Sequence, residues 1–482
     1  MNLNTGGRKG EKGVFYMEVK GNMTGAKAAV ILVASAAIIL LGALVIKSPT
    51  VVNLIAAGLV AIFLAMIWGV KWDDIQNDIL DMARRMFPAI LILIFVGMLV
   101  GSWIASGTVP LMIYWGLKLL TPKFFLVITC IICSIMSVMT GTSWGTIGTV
   151  GVALMGVATG LGVPASYTAG AVIVGALFGD KLSPLSDTTV LAPAVSGVDV
   201  LDHIKYMLYT TVPSYVISLI FFLVVGFRYG EGSVETQDYD AIIHTLESTF
   251  NLNPILIVPP IVVLFMIFRQ KPILPSFGIG IVLGVVLALI FQNTDLVTVL
   301  TVLNKGYAAP TGVDIVDTMI CRGGISSMLS SVAIVIAASI FGAPLKTSGV
   351  IDFAVEKIVK VATGQKSVLF CSYLFHALLI LIIGGYYTTF SIAGPVLQPL
   401  YDKYGLDKKN LSRCLEDSGT TFSPLVPWCS NGVYMTSTLG VAYADYALTT
   451  PICWLCMIFA FIYIATGFKI AQAPKQEDAV TA

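Results

Sequence analysis

Three ionisable residues lie within eight positions of one another in otherwise apolar sequence. Asp180, Lys181 and Asp187 belong to the stretch G-D-K-L-S-P-L-S-D-T-T at positions 179–189. Each charged group costs about 2.5–3.5 kcal/mol at the centre of a membrane helix on insertion scales. Pro184 lacks an N–H, so a carbonyl one turn earlier loses its helical partner. We therefore expect a broken helix whose charges bind an ion or a substrate; the alternative is an Asp–Lys pair that only stabilises the break.

A related stretch recurs in the second half of the chain. It reads E-D-S-G-T-T-F-S-P-L-V-P-W from Glu416 to Trp428, and it also combines acidic residues, a Ser/Thr cluster and Ser-Pro-Leu. Proline-kinked structural helices explain one such stretch, but they explain the repetition poorly. Repeated broken helices are typical of secondary transporters, which hold substrate and coupling ion near the bilayer midplane. Arg413 lies one turn before Asp417 and is a candidate partner for that residue or for Glu416.

Two further polar stretches precede the broken helices by a few tens of residues. One reads T-G-T-S-W-G-T from Thr140 to Thr146, and the other G-G-Y-Y-T-T-F-S from Gly384 to Ser391. The apolar arms beside them, at about 124–139, 147–159, 368–383 and 391–400, are too short to cross a hydrocarbon core of about 30 Å comfortably. Each polar stretch is therefore expected to form the tip of a re-entrant hairpin. Carbonyl and hydroxyl oxygens at such tips suit a small cation, and the helix N-terminus after the tip suits an anion.

The first tip also contains a possible nucleophile. Residues 141–145 read G-T-S-W-G, which matches the G-x-S-x-G motif around the serine of many hydrolases. That motif places the serine on a turn after a strand, and no strand is predicted before Ser143. The histidines, His203, His244 and His376, all lie outside the polar stretches. The sequence therefore disfavours an intramembrane serine hydrolase, and His376 is expected to have a packing role, with a proton site as the alternative.

Apolar residues dominate the composition of the whole chain. Of its 482 residues 57% are apolar and 11% are charged, whereas soluble domains carry about 25% charged residues. Runs of about 20 apolar residues, long enough to cross a bilayer, recur many times. The net charge of +1 does not suggest a nucleic-acid partner. The sequence predicts an all-α polytopic membrane protein that lies in the lipid bilayer and requires no cofactor.

The order of elements is the same in both halves of the chain. Each half has three spans, a short piece, two arms around a polar tip, a broken span and a whole span, which we count as five crossings. An odd number of crossings makes the second copy enter from the opposite side, so we predict two inverted repeats. With the N-terminus inside, the inside segments hold 21 Lys and Arg and the outside segments hold 5. This bias predicts cytoplasmic termini in a multi-pass protein of the plasma (inner) membrane.

These patterns divide the chain into five parts. The predicted parts are a cytoplasmic N-terminal tail at 1–25, a first repeat at 26–228, an extracellular acidic linker at 229–251, a second repeat at 252–470 and a cytoplasmic C-terminal tail at 471–482.

The polar stretches resemble those of a known transporter family. Residues 140–145, 179–189 and 411–428 together resemble the NhaC family of sodium/proton antiporters, in the same order and across nearly the whole hydrophobic part. That family belongs to the ion transporter superfamily. The resemblance implies inverted repeats with two re-entrant hairpins, a scaffold domain, a mobile transport domain, a homodimer and elevator-type alternating access.

The resemblance also assigns an ion site, formed by the acidic residues of both broken helices and the hydroxyls around both tips. The candidate residues are Thr140, Thr142, Ser143, Thr146, Asp180, Lys181, Ser183, Ser186, Asp187, Thr188, Tyr386, Tyr387, Thr388, Thr389, Glu416, Asp417, Ser418, Thr420 and Ser423. Sodium is expected near Thr142, Asp180, Thr388 and Asp417. Asp180 and Asp417 are the candidates for proton coupling, and Lys181 is an alternative charge that moves with the empty carrier.

Two adjacent positions differ from the family pattern. The second tip of the family usually carries an acidic or amide residue followed by Gln, whereas this chain has Tyr387 and Thr388. The difference leaves room for an organic substrate, because the family includes malate/lactate exchangers and amino-acid carriers. Tyr386 and Tyr387 would line the path of such a substrate, or anchor the tip at the membrane interface.

Four functions follow in order of preference. The leading hypothesis is a secondary sodium/proton antiporter in which both ions compete for one carboxylate. The second is a sodium- or proton-coupled transporter or exchanger of a small organic acid or amino acid. The intramembrane hydrolase centred on Ser143 comes third, and a channel is disfavoured because paired inverted elements indicate alternating access.

Overall fold

A computed structural model of the protein describes residues 7–9, 15–17, 23–229 and 236–473. Positions 474–482 of the predicted C-terminal tail, most of the N-terminal tail and positions 230–235 of the acidic linker lie outside these residues. A two-stranded antiparallel ribbon, β1 Gly7–Lys9 and β2 Phe15–Met17, comes first. The elements that the structure describes after this ribbon are helices, which confirms the predicted all-α class.

The first half of the chain folds into eleven helices. They are α1 Gly25–Leu40, α2 Thr50–Ile67, α3 Trp72–Ala105, α4 Thr108–Leu119, α5 Pro122–Thr140, α6 Ser143–Thr146, α7 Val152–Gly160, α8 Ala165–Leu182, α9 Asp187–Ser196, α10 Val200–Tyr229 and α11 Thr236–Thr249. Two π-helical segments, Leu41–Ile46 and Ile147–Gly151, continue α1 and join α6 to α7.

The second half folds into twelve helices and three short 3₁₀ turns. The helices are α12 Val258–Phe268, α13 Ile273–Phe291, α14 Leu296–Lys305, α15 Asp314–Ile320, α16 Ile325–Thr347, α17 Val350–Val361, α18 Gln365–Ile383, α19 Tyr386–Lys403, α20 Lys409–Ser418, α21 Ser430–Leu439, α22 Tyr443–Tyr446 and α23 Pro451–Thr466. The 3₁₀ turns are Pro254–Ile257, Ser423–Leu425 and Ala447–Thr449.

The length and composition of these helices fit a polytopic membrane protein. Within the described ranges, 8 helices are long and apolar enough to cross a membrane, and the number rises to 10 if each of two bent helix pairs is one span. The upper number equals the ten predicted crossings, but the set differs, because it includes the hairpin arms α5 and α18 and leaves out the broken spans α8–α9 and α20–α21.

Helix α3 is longer than predicted. We expected an amphipathic stretch at 72–86 and a separate span at 87–106, but a single helix of 34 residues continues through Pro88. An internal proline removes one backbone hydrogen bond, which would otherwise pair residue 88 with the carbonyl of Arg84. Arg84 and Pro88 are both exposed, and the helix continues despite the lost bond.

The predicted half-length hairpin arms are wrong. α5 has 19 residues, and α6, the π-helical segment and α7 form one continuous second arm of 18 residues at 143–160. α18 and α19 have 19 and 18 residues. At 1.5 Å per residue each arm is about 27–29 Å long, so arm length does not require a re-entrant path.

The arms are longer because polar residues of the first tip are part of the helices. The hydroxyls of Thr140, Thr146 and Thr149 donate to carbonyls four residues earlier, at 2.8, 3.0 and 2.7 Å. A hydroxyl bonded within its own helix does not interrupt it. Only the turns themselves are non-helical, and Gly141 and Gly384 form them with φ of +67° and +71°.

Both helix breaks occur where they were predicted. α8 ends at Leu182 and α9 begins at Asp187, with the Ser186 side chain capping the new helix. The second break separates α20 from α21 and contains the 3₁₀ turn at 423–425.

Close packing of α5 against α8 places the first break beside the first tip. A Cβ atom on Gly175 would lie 2.3 Å from the Cys130 carbonyl oxygen, and one on Gly179 would lie 2.4 Å from that of Ser134. Any larger residue at these two positions would therefore push the helices apart. The close approach brings Asp180, the next residue after Gly179, to the end of α5.

Buried apolar side chains form two large clusters. The first hairpin packs in one cluster, which includes Cys130 and Trp144, and the second hairpin packs in the other, which includes Tyr386 and Phe390.

Candidate ion and substrate site

The first hairpin tip contacts both helix breaks. The Ser143 hydroxyl donates to Asp180 Oδ2 at 3.0 Å, which links the tip to the first break. Trp144 Nε1 donates to Asn431 Oδ1 at 2.7 Å, and the Trp144 ring stacks on Tyr434 with ring centroids 4.2 Å apart. Because Asn431 and Tyr434 belong to α21, the first tip also touches the second break.

The second hairpin tip makes the corresponding contacts. The backbone N–H of Ser430 donates to the Gly384 carbonyl at 2.9 Å, which joins this tip to the second break. The Tyr387 hydroxyl donates to Asp187 Oδ2, the first residue of α9. Both tips and both breaks therefore meet in one region, although they lie far apart in the sequence.

A cavity of about 150 Å³ lies where these elements meet. From the first half of the chain it is lined by the predicted residues Thr142, Ser143, Asp180 and Asp187. From the second half it is lined by the predicted residues Tyr386, Tyr387 and Thr388. Seven of the predicted site residues thus surround one space.

Asp417 does not line this cavity but forms a buried ion pair. Lys181 Nζ lies 2.7 Å from Asp417 Oδ1 and donates also to Thr421 Oγ1 at 3.0 Å. Asp417 accepts further hydrogen bonds from Thr210 and Tyr373, both at 3.2 Å. A buried charge pair is stable only when hydrogen bonds satisfy its remaining groups, as they do here. Three of the four residues expected around sodium, Thr142, Asp180 and Thr388, therefore share the cavity, and Asp417 is separate from it.

Several buried oxygen atoms of the two broken helices lack a hydrogen-bond partner among the described residues, and of the residues that carry them only Asp180 lines the cavity. They are Oδ1 of Asp180, both carboxylate oxygens of Glu416 and Oγ1 of Thr420. Asp180 is 3% exposed and Glu416 is fully buried. A buried carboxylate without donors is unfavourable unless a proton or a cation binds to it. The residues that follow Asp180 and Glu416 in the sequence, Lys181 and Asp417, are in contact, with Nζ 2.7 Å from Oδ1, so this pair joins the two chain segments that carry the two carboxylates.

The other predicted residues stabilise the breaks and tips. Ser186 caps α9, and its hydroxyl lies 3.1 Å from that of Thr188. Ser183 is buried where α8 ends. Ser423 accepts a hydrogen bond of 2.7 Å from Asn431, and Thr140 and Thr146 bond within their own helices.

His376 connects the second hairpin to the second break. Its Nδ1 lies 2.8 Å from the Ser418 hydroxyl and its Nε2 lies 3.0 Å from the Thr389 hydroxyl. Both ring nitrogens therefore have partners inside the protein. This arrangement fits the packing role expected for His376 and gives Ser418 and Thr389 a positioning function.

The structure adds residues that sequence reasoning missed. Arg85 lines the cavity from α3, but the sequence places it in an amphipathic stretch with no polar motif. Asn431 lies three residues beyond the second polar stretch, although a single amide in a helix of small, hydroxyl-bearing and apolar residues was a usable signal. The proposed pairing of Arg413 with an acidic residue is not observed among the described residues; its guanidinium instead lies 4.4 Å from the Tyr206 ring.

Comparison with known proteins agrees with this architecture. Residues 19–192 and 175–468 match the profile described as the Na+/H+ antiporter family. The Na+/H+ antiporter NhaC of Alkalihalophilus pseudofirmus is 35% identical over 443 residues, which cover 92% of this chain and 95% of that protein.

Two relatives carry the names of organic-solute exchangers. The malate-2H+/Na+-lactate antiporter of Bacillus subtilis is 38% identical and covers 87% of this chain and 90% of its own length. The arginine/ornithine antiporter ArcD of Halobacterium salinarum is 32% identical and covers 85% of each chain. The chain therefore belongs to the Na+/H+ antiporter family, as its resemblance to NhaC predicts, and it is a secondary active transporter and not an enzyme.

Proposed function

We propose that this protein exchanges sodium ions for protons across the bilayer and that both ions compete for the carboxylates of Asp180 and Glu416. The observation that carries the proposal is that three oxygens of these two buried side chains have no hydrogen-bond donor among the described residues. Each carboxylate belongs to a different helix break, so a cation between them would hold the two halves of the chain together.

The chemistry of the surrounding atoms supports a small hard cation. The hydroxyl of Thr420, four residues after Glu416, has no hydrogen-bond partner among the described residues, and Thr142 and Thr388 line the cavity together with Asp180. Hydroxyl, carbonyl and carboxylate oxygens are the ligands that replace the hydration shell of hard cations. A proton on either carboxylate removes the charge that attracts sodium, so exchange requires no chemical intermediate.

Glu416 is a better candidate for the second exchanging carboxylate than Asp417. Asp417 already accepts hydrogen bonds from Lys181, Thr210 and Tyr373, and its charge is neutralised by the lysine. A carboxylate in such an ion pair loses much stability if it is protonated. We therefore assign ion exchange to Asp180 and Glu416, and the positioning of both to the Lys181–Asp417 pair.

The meeting of the tips supports alternating access. If the two halves are inverted repeats, as the sequence predicts, hairpins that enter from opposite sides can line one cavity only when their tips lie between the two membrane surfaces. We propose that the hairpins and broken helices move together as the transport domain of an elevator. The homodimer, the plasma-membrane location and the cytoplasmic termini are proposed with it, from the family resemblance and the distribution of Lys and Arg.

The size of the cavity and the names of two relatives favour a second candidate function. A bare sodium ion fills only a small part of about 150 Å³, and the B. subtilis and H. salinarum relatives are named for organic solutes. The alternative is therefore the coupled exchange of a small organic acid or amino acid.

Proton flux in everted membrane vesicles tests the proposal. Addition of sodium to acidified vesicles that contain the wild-type protein should restore the fluorescence of a pH dye. Asp180→Asn and Glu416→Gln should each reduce this response at least tenfold, whereas Asp445→Asn, which alters an exposed acidic residue of α22, should not. Normal responses from both site variants would overturn the proposal. Size-exclusion profiles that match the wild type would show that the variants are folded.

A further inference from the structure

The cavity contains groups of both charges, and this feature goes beyond what sodium/proton exchange requires. Arg85 lines the cavity together with Asp180 and Asp187. We infer that the cavity binds a small zwitterion, an α-amino acid, whose carboxylate pairs with Arg85 and whose ammonium group binds between Asp180 and Asp187. This substrate would share Asp180 with the proposed ion site, while Arg85 and Asp187 would serve the organic solute alone.

The volume of the cavity sets the size of the solute. Cavities of about 150 Å³ in other proteins hold a molecule of the size of benzene, with about six non-hydrogen atoms. Alanine and lactate have six non-hydrogen atoms each. The cavity therefore suits the backbone of a small amino acid, and its open side can accommodate a somewhat longer side chain.

Arg85 provides the positive side of the cavity. Its side chain is exposed, and it forms no ion pair or hydrogen bond with the residues that the structure describes. The neighbouring Arg84 differs, because it pairs with Asp81 at 3.4 Å and does not line the cavity. A guanidinium group binds a carboxylate through two parallel N–H···O bonds, so Arg85 is suited to orient an organic acid group.

Asp180 and Asp187 provide the negative side. Asp180 is buried, accepts from Ser143 through Oδ2, and has no partner for Oδ1 among the described residues. Asp187 accepts from the N–H of Thr188 at 2.8 Å and from the Tyr387 hydroxyl. An ammonium group has three N–H donors and can satisfy the free oxygen of Asp180 while it remains close to Asp187.

Aromatic and apolar side chains separate the two charged sides. Tyr386, Tyr387 and Trp144 line the cavity, as do Met86 and Ile92. Such a wall suits the α-carbon and side chain of the solute.

The charges discriminate between classes of solute. An amine would leave Arg85 unpaired, and a dicarboxylate would bring a second negative charge towards two aspartates. A monocarboxylate such as lactate would pair with Arg85 but would need a separate cation, such as the proposed sodium ion, at Asp180. A zwitterion complements both sides with a single molecule.

Matched solutes and variants test this inference on the purified full-length protein. Binding is measured by isothermal titration calorimetry with L-alanine, L-2-aminobutyrate, L-valine and L-leucine, and with propionate, L-lactate and ethylamine as single-charge controls. At least one of the amino acids should bind at least tenfold more tightly than propionate, L-lactate and ethylamine. Arg85→Gln should weaken its binding at least tenfold, Arg85→Lys should retain part of it, and Arg84→Gln should bind like the wild type.

The outcomes separate this inference from the proposed ion exchange. If Arg85→Gln binds the amino acid as tightly as the wild type, or if lactate or propionate binds as tightly as any amino acid, the zwitterion site is wrong. If none of the amino acids binds while the vesicles still exchange sodium for protons, the inference fails and the proposed function stands. If an amino acid binds with the expected Arg85 dependence but sodium-driven proton flux is absent, the inference stands and the ion exchange fails.

Discussion

Lys181 Nζ lies 2.7 Å from Asp417 Oδ1, and neither side chain is exposed to solvent. Each partner is the next residue along the chain from a carboxylate that we assign to ion exchange, Asp180 or Glu416. The ion pair therefore fixes the relative position of the two broken helices at the site itself. Its stability determines whether both carboxylates can contact the same ion.

Removal of one partner of this pair should destabilise the protein strongly. A buried charge left without its partner costs about 3–5 kcal/mol, whereas replacement of both charges by apolar residues is often neutral. Lys181→Met and Asp417→Leu should each lower the melting temperature in detergent by more than the double variant does. A double variant that is less stable than both single variants would show that the pair itself stabilises the fold.

A partly exposed ion pair provides the control for this comparison. Lys346 Nζ lies 2.7 Å from Asp78 Oδ1, with side-chain exposures of 28% and 20%. Partly solvated pairs contribute about 0–1 kcal/mol. Lys346→Met should therefore lower the melting temperature much less than Lys181→Met.

Sodium and protons should compete at the site. Because a protonated carboxylate no longer attracts sodium, the apparent KM for sodium should rise as the pH falls, by up to tenfold per pH unit for each competing proton. Maximal exchange rates at saturating sodium should change less. Exchange measured in vesicles at several pH values checks this expectation, and a sodium KM that does not depend on pH would contradict shared binding.

Loss of the Ser143 hydroxyl should shift this competition towards protons. The hydroxyl donates to Asp180 Oδ2 at 3.0 Å and so stabilises the ionised carboxylate. A hydrogen bond to a charged group contributes about 1.5–3 kcal/mol. In Ser143→Ala, the sodium KM at neutral pH should therefore rise about tenfold or more and recover at higher pH. Thr140→Ala removes a hydroxyl of the same tip that bonds only within α5, and its KM should remain normal.

The close approach of α5 and α8 should be essential for exchange. A methyl group on Gly179 would lie 2.4 Å from the Ser134 carbonyl oxygen, so Gly179→Ala must move α8 away from the hairpin. We expect a loss of about 1–3 kcal/mol in stability, together with reduced sodium-driven proton flux. Gly278→Ala in α13 is the matched control, because its added methyl group would come no closer than 3.6 Å to a neighbouring atom. Equal effects of the two substitutions would contradict this account.

The sequence correctly predicted helices whose ends coincide with a proline or with the end of an apolar run. α13 spans Ile273–Phe291, as predicted, because Pro272 precedes it and the apolar run ends at Gln292. Both helix breaks were also predicted, because the proline of each Ser-Pro-Leu lacks a backbone N–H and therefore interrupts the helix at a known position. The arms of the first hairpin were predicted too short, because the sequence does not show that Thr146 and Thr149 bond to their own helix.

Contacts between residues that lie far apart in the sequence could not be predicted from these local patterns. Lys181 and Asp417 are separated by 236 positions, and the local sequence offered Asp180 or Asp187 as an equally suitable partner for the lysine. Arg85 was missed for a similar reason, since only the packing of α3 beside both tips brings it to the cavity. Most residues of the candidate site were predicted from the sequence. The sequence did not show which of them form the buried ion pair and which line the cavity.

Equilibrium binding of radioactive sodium to the purified protein at alkaline pH tests the central claim most directly. The wild type and Asp445→Asn should bind sodium with the same affinity, and the affinity should fall as protons are added. Asp180→Asn and Glu416→Gln should each bind at least tenfold more weakly. Wild-type affinity in both site variants would contradict the assignment of sodium to these two carboxylates.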